Sequence, residues 1–339
     1  MKAVGFWTRG LAITDPRSLV DLTLPDPESP AGRDLLVRVC AVAVNPRDVK
    51  SRMGIEPTEG KPVVLGYDAS GVVEAVGDQV QYFQPGDLVF YAGVLDRQGS
   101  NAELQLVDER IVGRKPSTID HSAAASLPLT SLTSWEMLFD RLQLPYGEGK
   151  GEALLMIGGA GGVPSMTIQL ARQLSQVEIV ATASRPESET WVRSLGANHV
   201  VNHSRPLATQ VQAINQLSPV TRIFSTHTDT ASWTEMAKII APQGRIGLID
   251  DPEPLDLRLM KFKSVSIHWE AMVTRPMCGT HDMQRQHEIL DAVSGLIDSG
   301  QLRATRNTDY GKINAKNLRH AHAALESGHV VGKITLAGF

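Results

Sequence analysis

The chain has 339 residues, more than one hydrophobic core usually serves, so we expect two domains. Hydrophobic residues make up 42% and charged residues 21%, which is typical of a globular protein. The net charge of −4, with no basic stripe, gives no reason to expect a nucleic-acid partner.

No membrane span or secretory segment is predicted. Every long apolar run is broken by a charge, Gly or Pro well before the roughly 18 residues that a span needs. The N-terminal sequence MKAVGFWTRG lacks the apolar core of a secretory leader. Cys40 and Cys278 are too few for a four-cysteine zinc lobe, and we expect both to be small buried hydrophobes. So few cysteines indicate a reducing compartment, so we predict a cytoplasmic protein.

The first 120 residues are predicted to be mostly strand. Short Val-rich runs are separated by the turn sequences NPRD, PGD and RQGSN. The runs are DLLVRVCAVAVN (34–45), ASGVVEAVG (69–77) and DLVFYAG (87–93). This pattern predicts a compact β-rich domain with loops at its edges.

From about residue 122, strands alternate with helices. The stretch HSAAASLPLTSLTSWEMLFDRL is predicted to be helical, and six apolar runs follow it, most of them separated by helical segments. These runs cover 152–158, 177–183, 198–203, 221–226, 244–250 and 264–270. Six strands with helical crossovers predict an α/β domain with a doubly wound parallel sheet. The tail adds two helices and a final strand.

The sequence GGAGGVPS (158–165) ends the first of these strands and begins a helix. A helix N-terminus offers unpaired amides and a positive dipole end to an anion. Gly159, Gly161 and Gly162 let the backbone approach a pyrophosphate without a Cβ clash. The dinucleotide fingerprint has a third glycine where this chain has Pro164. Because proline is favoured at the first helical position, we predict that the helix begins at 164 or just after, and that the site survives.

The end of the second strand indicates which dinucleotide binds. The segment ATASRPES (181–188) contains Ser184 and Arg185 and no acidic residue before Glu187. An NAD ribose favours an acidic residue about 20 positions past the glycines, whereas a hydroxyl and a guanidinium suit a 2′-phosphate. A solvated loop arginine is the alternative. We predict that the cofactor is NADPH.

The motifs together resemble those of the medium-chain dehydrogenase/reductase superfamily, in its quinone-oxidoreductase-like, zinc-type alcohol dehydrogenase-like branch. The matching segments are AVAVNPRDVK (41–50), LGYDASGVVEAVG (65–77), FQPGDLVF (83–90), LPLTSLTSWEML (127–138), GGAGGVPS (158–165) and GKITLAGF (332–339). The resemblance implies a GroES-like catalytic domain, 1–126 with 272–339, and a Rossmann NADPH-binding domain, 127–271. It also implies an active site in the cleft and a homodimer or tetramer, of which we expect the homodimer. The family's usual GGVGS is GGVPS here.

The zinc enzymes of this superfamily carry a Gly-His-Glu segment and an earlier Cys or Asp as metal ligands. This chain has Gly66-Tyr67-Asp68 and VNPRD in those places. Asp48 alone could ligate a metal, but a catalytic zinc needs three protein ligands, typically His or Cys. The sequence HAH (320–322) is expected to be a surface pair. We therefore predict no metal site.

A metal-free site with NADPH points to hydride transfer onto a quinone or an α,β-unsaturated carbonyl, because charge then delocalises onto an oxygen remote from the attacked carbon. The substrate is a small molecule. One alternative is a zinc-type alcohol or aldehyde dehydrogenase with an unseen metal. The other is a non-catalytic dinucleotide-binding protein.

The resemblance also implies roles for single residues. Tyr67 is the candidate hydrogen-bond donor to the substrate oxygen, with Asn45 second, and a purely structural tyrosine is the alternative. Trp135, Trp269 and Met272 could wall an apolar pocket. The residues expected to contact the cofactor are Asn45 and Thr133 (nicotinamide half), Leu248, Ile249 and Asp250 (nicotinamide amide), Thr226 (adenosine ribose), Lys333 (cofactor cleft), Ser184 and Arg185 (2′-phosphate), and Gly159, Ala160, Gly161, Gly162 and Val163 (pyrophosphate).

Overall fold

Strands and helices cover about half of the chain in the computed structural model, which describes all residues from Met1 to Phe339. The strands are β1 (Lys2–Phe6), β2 (Val20–Thr23), β3 (Asp34–Ala43), β4 (Val63–Val64), β5 (Asp68–Val76), β6 (Leu88–Ala92), β7 (Leu104–Asp108), β8 (Val112–Arg114), β9 (Ala153–Ile157), β10 (Glu178–Thr182), β11 (His199–Val201), β12 (Val220–Ser225), β13 (Arg245–Leu248), β14 (Ser266–Trp269), β15 (Arg306–Asp309) and β16 (Lys333–Ala337).

The helices alternate with strands in the middle of the chain. They are α1 (Pro46–Gly54), α2 (His121–Ala125), α3 (Pro128–Trp135), α4 (Gly162–Leu174), α5 (Pro186–Ser194), α6 (Leu207–Gln212), α7 (Thr230–Ile239), α8 (Thr274–Met277), α9 (Arg285–Asp298) and α10 (Ala315–Glu326). A π-helical segment over Glu136–Arg141 follows α3. None of the helices combines the length and the apolar character that crossing a membrane requires.

The chain divides into two compact units, residues 1–132 with 273–339, and residues 133–272. The domain boundaries expected from the sequence, after residues 126 and 271, stay predictions. The sheets of the two units differ in kind, and together they confirm the predicted α/β class: a Rossmann-type parallel sheet in one unit and a β-rich fold in the other.

The first unit is built on mostly antiparallel sheet. One sheet has the order β15-β16-β3-β5-β6-β8, with β7 also paired to β3, and a smaller sheet has the order β2-β1-β4. Alternate residues of β3, such as Leu35 and Val37, are fully buried, as the period of a strand predicts. The last strand, β16, pairs with β3 so that Thr335 lies opposite Ala43. This pairing brings the C-terminal segment back to the start of the chain.

The second unit contains a six-stranded, fully parallel sheet. Its order is β11-β10-β9-β12-β13-β14, which is the doubly wound order with the change of direction beside β9. All six predicted strands are present. In such a sheet the carboxyl ends of the strands meet along one edge, and ligands bind there.

Three local expectations are wrong. The helix after the glycine-rich turn begins at Gly162, so Pro164 is its third residue and not its first. His322 is fully buried, so HAH is not a surface pair; only His320 is exposed. Cys278 is exposed and Cys40 is partly buried, so neither is a fully buried hydrophobe.

Candidate active site

The glycine-rich turn joins β9 to α4 with two glycines in left-handed conformation. The φ angles are +133° at Gly158 and +67° at Gly159. The hydroxyl oxygen of Thr182, at the end of β10, lies 3.2 Å from the Gly158 nitrogen and 3.3 Å from the Gly159 nitrogen and accepts from both. A Cβ on Gly158 would lie 1.8 Å from Oγ1 of Thr226, so no side chain fits there. The turn is therefore fixed by its two neighbouring strands.

Beyond that first glycine, the surface of the turn is open. A Cβ on Gly159 would meet nothing closer than Cε1 of His203 at 3.7 Å, and one on Gly161 nothing closer than Pro164 Cδ at 3.8 Å. The N–H groups of Gly162 and Val163 begin α4, where a helix offers them no carbonyl partner. An open glycine surface beside unpaired amides fits a pyrophosphate.

Pro164 occupies a position where its missing N–H has no structural cost. The amides of the first helical turn have no intrahelical acceptor, and the third residue is one of them. The next amide, that of Ser165, donates to the Gly161 carbonyl at 3.0 Å, and the Ser165 hydroxyl donates to the same carbonyl at 2.7 Å. The indole N–H of Trp191 donates to the Ser165 hydroxyl at 2.8 Å. The hydrogen bonds of Ser165 therefore stabilise the start of α4, and an N–H at position 164 is not needed.

The ends of β10 and β13 carry polar side chains at the same edge of the sheet. Ser184 is exposed, and Arg185 is the partly buried N-cap of α5, where its amide donates to Ser188 Oγ at 3.2 Å. Asp250 accepts from the Thr228 amide through Oδ2, while its buried Oδ1 has no partner. An orphaned carboxylate oxygen suits the amide group of a nicotinamide.

Other predicted cofactor residues of this unit are buried. Thr133 is buried, with 5% of its surface exposed, and its neighbour Ser134 donates to the Val163 carbonyl at 3.2 Å. Leu248 lies in the apolar core, so only its backbone could contact a ligand. The Trp269 side chain is 56% exposed on the edge strand β14, so it is not the wall of a closed pocket.

The first unit contains a buried ionic cluster at the N-terminus of α1. The Lys333 ammonium donates to the Val44 carbonyl at 3.0 Å, to Oδ1 of Asn45, and to Oδ2 of Asp68 at 2.7 Å. The Asn45 side-chain amide donates to the same Asp68 oxygen at 2.8 Å. The Asn45 backbone amide donates to Asp48 at 2.8 Å. All of these side chains are buried, so their mutual hydrogen bonds replace those they would make to water.

The cluster holds two carboxyl groups but one ammonium. Burial raises the pKa of Asp48 to about 7, against the lowering effects of the Asn45 amide and the Lys333 charge. Its Oδ1 has no hydrogen-bond partner. Asp48 thus exchanges a proton near neutral pH, whereas Asp68 is paired directly with the ammonium.

Tyr67 lies beside this cluster and is almost fully buried. Its hydroxyl lies 2.7 Å from the hydroxyl of Ser51, which projects from the same face of α1 as Asp48, three residues earlier. Burial is the largest influence on the pKa of Tyr67 and raises it above its usual value of 10. The phenol therefore stays protonated at neutral pH and can act as a neutral donor.

The arrangement does not fit a zinc ion. Asp68, which stands where the zinc enzymes have the glutamate of Gly-His-Glu, is neutralised by the Lys333 ammonium, and Tyr67 and Asn45 are poor zinc ligands. No three His, Cys, Asp or Glu side chains of the chain are grouped as a metal site requires. The absence of a metal stays a prediction.

Sequence reasoning missed several residues of these two sites. Ser51 and Asp68 were not assigned a role, although Ser51 follows Asp48 by three positions on a helix. His203 was not considered, although it follows β11 at the sheet edge that the motif already identified. The partnership of Lys333 with Asp68 has no local sequence pattern, because 265 residues separate them.

Two family profiles match most of the chain. The alcohol dehydrogenase GroES-like domain matches residues 31–117, and the zinc-binding dehydrogenase family matches residues 162–290. The zinc-type alcohol dehydrogenase-like protein SAS2087 of Staphylococcus aureus (strain MSSA476) is 39% identical over 311 residues, 91% of this chain and 92% of the relative.

Solved structures share the whole fold. A proposed zinc-dependent alcohol dehydrogenase from Rhizobium etli CFN 42 is 52% identical with a TM-score of 0.95, covering 100% of this chain and 98% of that one. A quinone oxidoreductase of Pseudomonas syringae pv. Tomato DC3000 is 25% identical with a TM-score of 0.82, covering 99% of each chain. The chain therefore belongs to the medium-chain dehydrogenase/reductase superfamily of nicotinamide-dinucleotide-binding oxidoreductases, among its zinc-type alcohol dehydrogenase-like proteins.

Proposed function

We propose that this protein is an NADPH-dependent, zinc-independent reductase of quinones or α,β-unsaturated carbonyls. The observation that carries the proposal is the Lys333–Asp68 ion pair, at 2.7 Å, beside a tyrosine held by Ser51. The polar cluster offers a neutral phenol donor and no open set of metal ligands. Such a donor suits an acceptor that can delocalise its developing negative charge.

Different residues of the chain have different roles in the proposed reaction. Bound NADPH supplies the hydride, two electrons with one proton. The Tyr67 hydroxyl donates a hydrogen bond to the acceptor oxygen, which gains negative charge. A proton from solvent completes the reduction, on the oxygen of a quinone or on the α-carbon of an unsaturated carbonyl. Ser51 orients that hydroxyl from 2.7 Å away. Asn45 gives its amide protons to Asp68 at 2.8 Å and the Ala43 carbonyl at 3.4 Å and accepts from Lys333 through its oxygen, so it holds the buried cluster together, and its expected contact with the nicotinamide half stays a prediction.

A substrate panel tests the reaction. NADPH oxidation should be measured with quinones, enones, aldehydes and ketones, each with and without EDTA. We expect turnover with a quinone or an enone, unchanged by the chelator. Turnover of simple aldehydes or ketones alone, lost with EDTA and accompanied by copurifying zinc, would establish the zinc-type dehydrogenase suggested by the relatives' names. Tight NADPH binding without any turnover would establish the non-catalytic alternative.

NADPH is preferred over NADH because Ser184 and Arg185 lie at the end of β10 and the first acidic side chain comes later, at Glu187. The Arg185→Glu variant should weaken NADPH roughly tenfold or more, the cost of a lost charged hydrogen bond, and leave NADH nearly unchanged. Equal effects on the two cofactors in fluorescence titrations would contradict the 2′-phosphate assignment.

We also propose that the protein is a homodimer. Strand β14 is an edge strand with β13 as its one neighbour in the sheet. Trp269 on that strand is 56% exposed and Phe262, just before it, is 96% exposed. Exposed apolar groups beside an open strand edge favour association with a second copy.

A further inference from the structure

The carboxyl ends of three neighbouring strands meet beside the glycine-rich turn. The turn follows β9, Ser184 and Arg185 follow β10, and His203 follows β11. The ladder between β10 and β11 ends with Thr182 opposite Val201, and the Ala183 amide then donates to the Val201 carbonyl at 2.9 Å. Ser184 and His203 each follow the last paired residue of their strand by two positions. They therefore lie side by side at the carboxyl edge of the sheet.

His203 also borders the turn itself. A Cβ built on Gly159 would lie 3.7 Å from Cε1 of the imidazole and 3.8 Å from the Thr182 carbonyl. The imidazole thus lines the open surface that we assign to the pyrophosphate, on the side of Arg185. A ribose phosphate attached there would lie among a hydroxyl, a guanidinium and an imidazole.

We propose that His203 is a third contact of the adenosine 2′-phosphate and that it takes up a proton when NADPH binds. This inference rests on the proposed function, because it needs NADPH to bind with its pyrophosphate on the turn. It goes beyond the proposed function because it states that one proton is taken up when NADPH binds and that His203 carries it.

The electrostatics of the free site support proton uptake. Desolvation lowers the pKa of His203 below its usual 6.5, and the positive charge of Arg185 lowers it further. Arg185 is the charged side chain whose field acts on the imidazole, while the turn and Thr182 present only uncharged groups. His203 and Arg205 both lie on the exposed loop after β11, so the imidazole is open to a ligand. The free imidazole is therefore neutral at pH 7. A phosphate dianion beside it favours the imidazolium, so binding raises its pKa.

The sign of the pH dependence follows from this shift. The complex binds more protons than the free protein between the two pKa values of His203. NADPH affinity should therefore increase as the pH falls from 8 toward 6, and NADH affinity should not. The phosphate itself becomes protonated only near pH 6, so the measurement stays above that value.

Isothermal titration calorimetry tests the proposal with the intact protein. NADPH is titrated at pH 7 in two buffers with different ionisation enthalpies, which gives the number of protons taken up, and NADH serves as the reference. We expect net uptake with NADPH and none with NADH. The His203→Gln variant should lose the uptake and bind NADPH roughly tenfold less tightly at pH 6.5, with NADH binding unchanged. His281→Gln, at an exposed histidine of the other unit, is the matched control and should behave as the wild type.

A second variant separates charge from structure. His203→Arg carries a permanent cation, so it should retain the preference for NADPH and lose both the proton uptake and the pH dependence. If NADPH binds selectively but His203→Gln leaves the proton uptake unchanged, the inference is wrong and the proposed function stands. If NADPH binds no better than NADH and Arg185→Glu changes neither affinity, the cofactor assignment itself fails.

Discussion

A methyl group at Gly158 and one at Gly161 would meet very different surroundings. At Gly158 it would lie 1.8 Å from the Thr226 hydroxyl, on a residue with φ of +133°. At Gly161, where φ is −67°, it would project into open space, with Pro164 Cδ at 3.8 Å. The fold thus requires a glycine at position 158, whereas at position 161 only the proposed pyrophosphate would require one.

The two alanine substitutions should therefore fail differently. Gly158→Ala should lose about 2 kcal/mol or more of unfolding free energy, because both the clash and the left-handed backbone are costly. Gly161→Ala should keep its stability within about 0.5 kcal/mol and bind NADPH less tightly, since its methyl group occupies the phosphate surface. Urea denaturation and cofactor titration measure the two effects. Unchanged NADPH binding in a stable Gly161→Ala protein would argue against the pyrophosphate site.

Lys333 supplies the single cation of a buried cluster with two carboxyl groups. Lys333→Met leaves Asp68 buried without its counter-charge and should cost about 3–5 kcal/mol of unfolding free energy at pH 7. The loss should grow with rising pH, because the carboxyl groups must then ionise without a counter-charge. Denaturant titrations at pH 6 and 8 provide the measurement.

Two comparison proteins make that result specific. Lys238→Met removes an exposed ion pair with Glu235 and should cost less than about 1 kcal/mol. The double variant Lys333→Met with Asp68→Asn should recover part of the loss, because it removes the charge of Asp68 and leaves Asp48 as the one carboxyl group of the cluster. A single variant as stable as the wild type would mean that the cluster is not held by this ion pair.

At the scale of elements, α10 carries a buried histidine without hydrogen-bond partners. Both ring nitrogens of His322 lack a partner, and burial, aided by the positive charge of Arg52, lowers its pKa to about 3. When the pH falls below 6.5 the unfolded chain takes up this proton before the folded one does. Stability from this group is thus fully present above 6.5 and is lost as the pH falls toward 3.

Replacing this histidine should therefore protect the protein against acid. When the pH is lowered from 7.5 to 5, the unfolding free energy of His322→Leu should rise by about 2 kcal/mol relative to that of the wild type. The figure corresponds to the roughly 1.5 pH units between 6.5 and 5, over which the unfolded wild-type histidine is protonated and the folded one is not. His320→Leu changes an exposed residue of the same helix and should show no such gain. Thermal or urea unfolding at both pH values decides the matter, and parallel pH profiles for wild type and His322→Leu would refute it.

Most elements were predictable because their patterns are local. The six strands of the parallel sheet follow from short apolar runs between helical segments, and the phosphate turn follows from its glycines. The start of α4 was not predictable from the proline alone, since the third helical position tolerates a missing N–H as well as the first does. The burial of His322 was also missed, because helical periodicity does not tell which polar side chain faces a neighbouring element.

At the scale of the molecule, the family and the architecture could be predicted, whereas the buried ion pair of Lys333 with Asp68 in the first unit could not. Lys333 meets Asn45 and Asp68 only because β16 pairs with β3. Neither the composition nor the spacing of residues in a short segment predicts such a contact, because it depends on the register between strands far apart in the chain. The candidate site was thus predicted as a list of residues and not as a hydrogen-bonded cluster.

Association is tested at this scale as well. Light scattering after size exclusion should give twice the chain mass of 36.8 kDa for the wild type. Phe262→Ser with Trp269→Ser should shift the mass toward one chain, because Trp269 lies on the open edge strand and Phe262 is exposed in the segment that leads into it. Tyr146→Ser, at another exposed aromatic residue, is the control and should leave the mass unchanged. A wild-type protein with the mass of one chain would rule out the homodimer.

The late position of Lys333 also has a consequence for biosynthesis. Asp68 leaves the ribosome 265 residues ahead of the lysine that neutralises it. At roughly 5–20 residues per second, the nascent chain spends on the order of 10–50 seconds with that carboxylate uncompensated. During this interval the Asp68 carboxylate lacks the ammonium with which it pairs in the folded protein. The lysine lies on the last strand, β16, so the buried cluster can form only once translation is nearly complete.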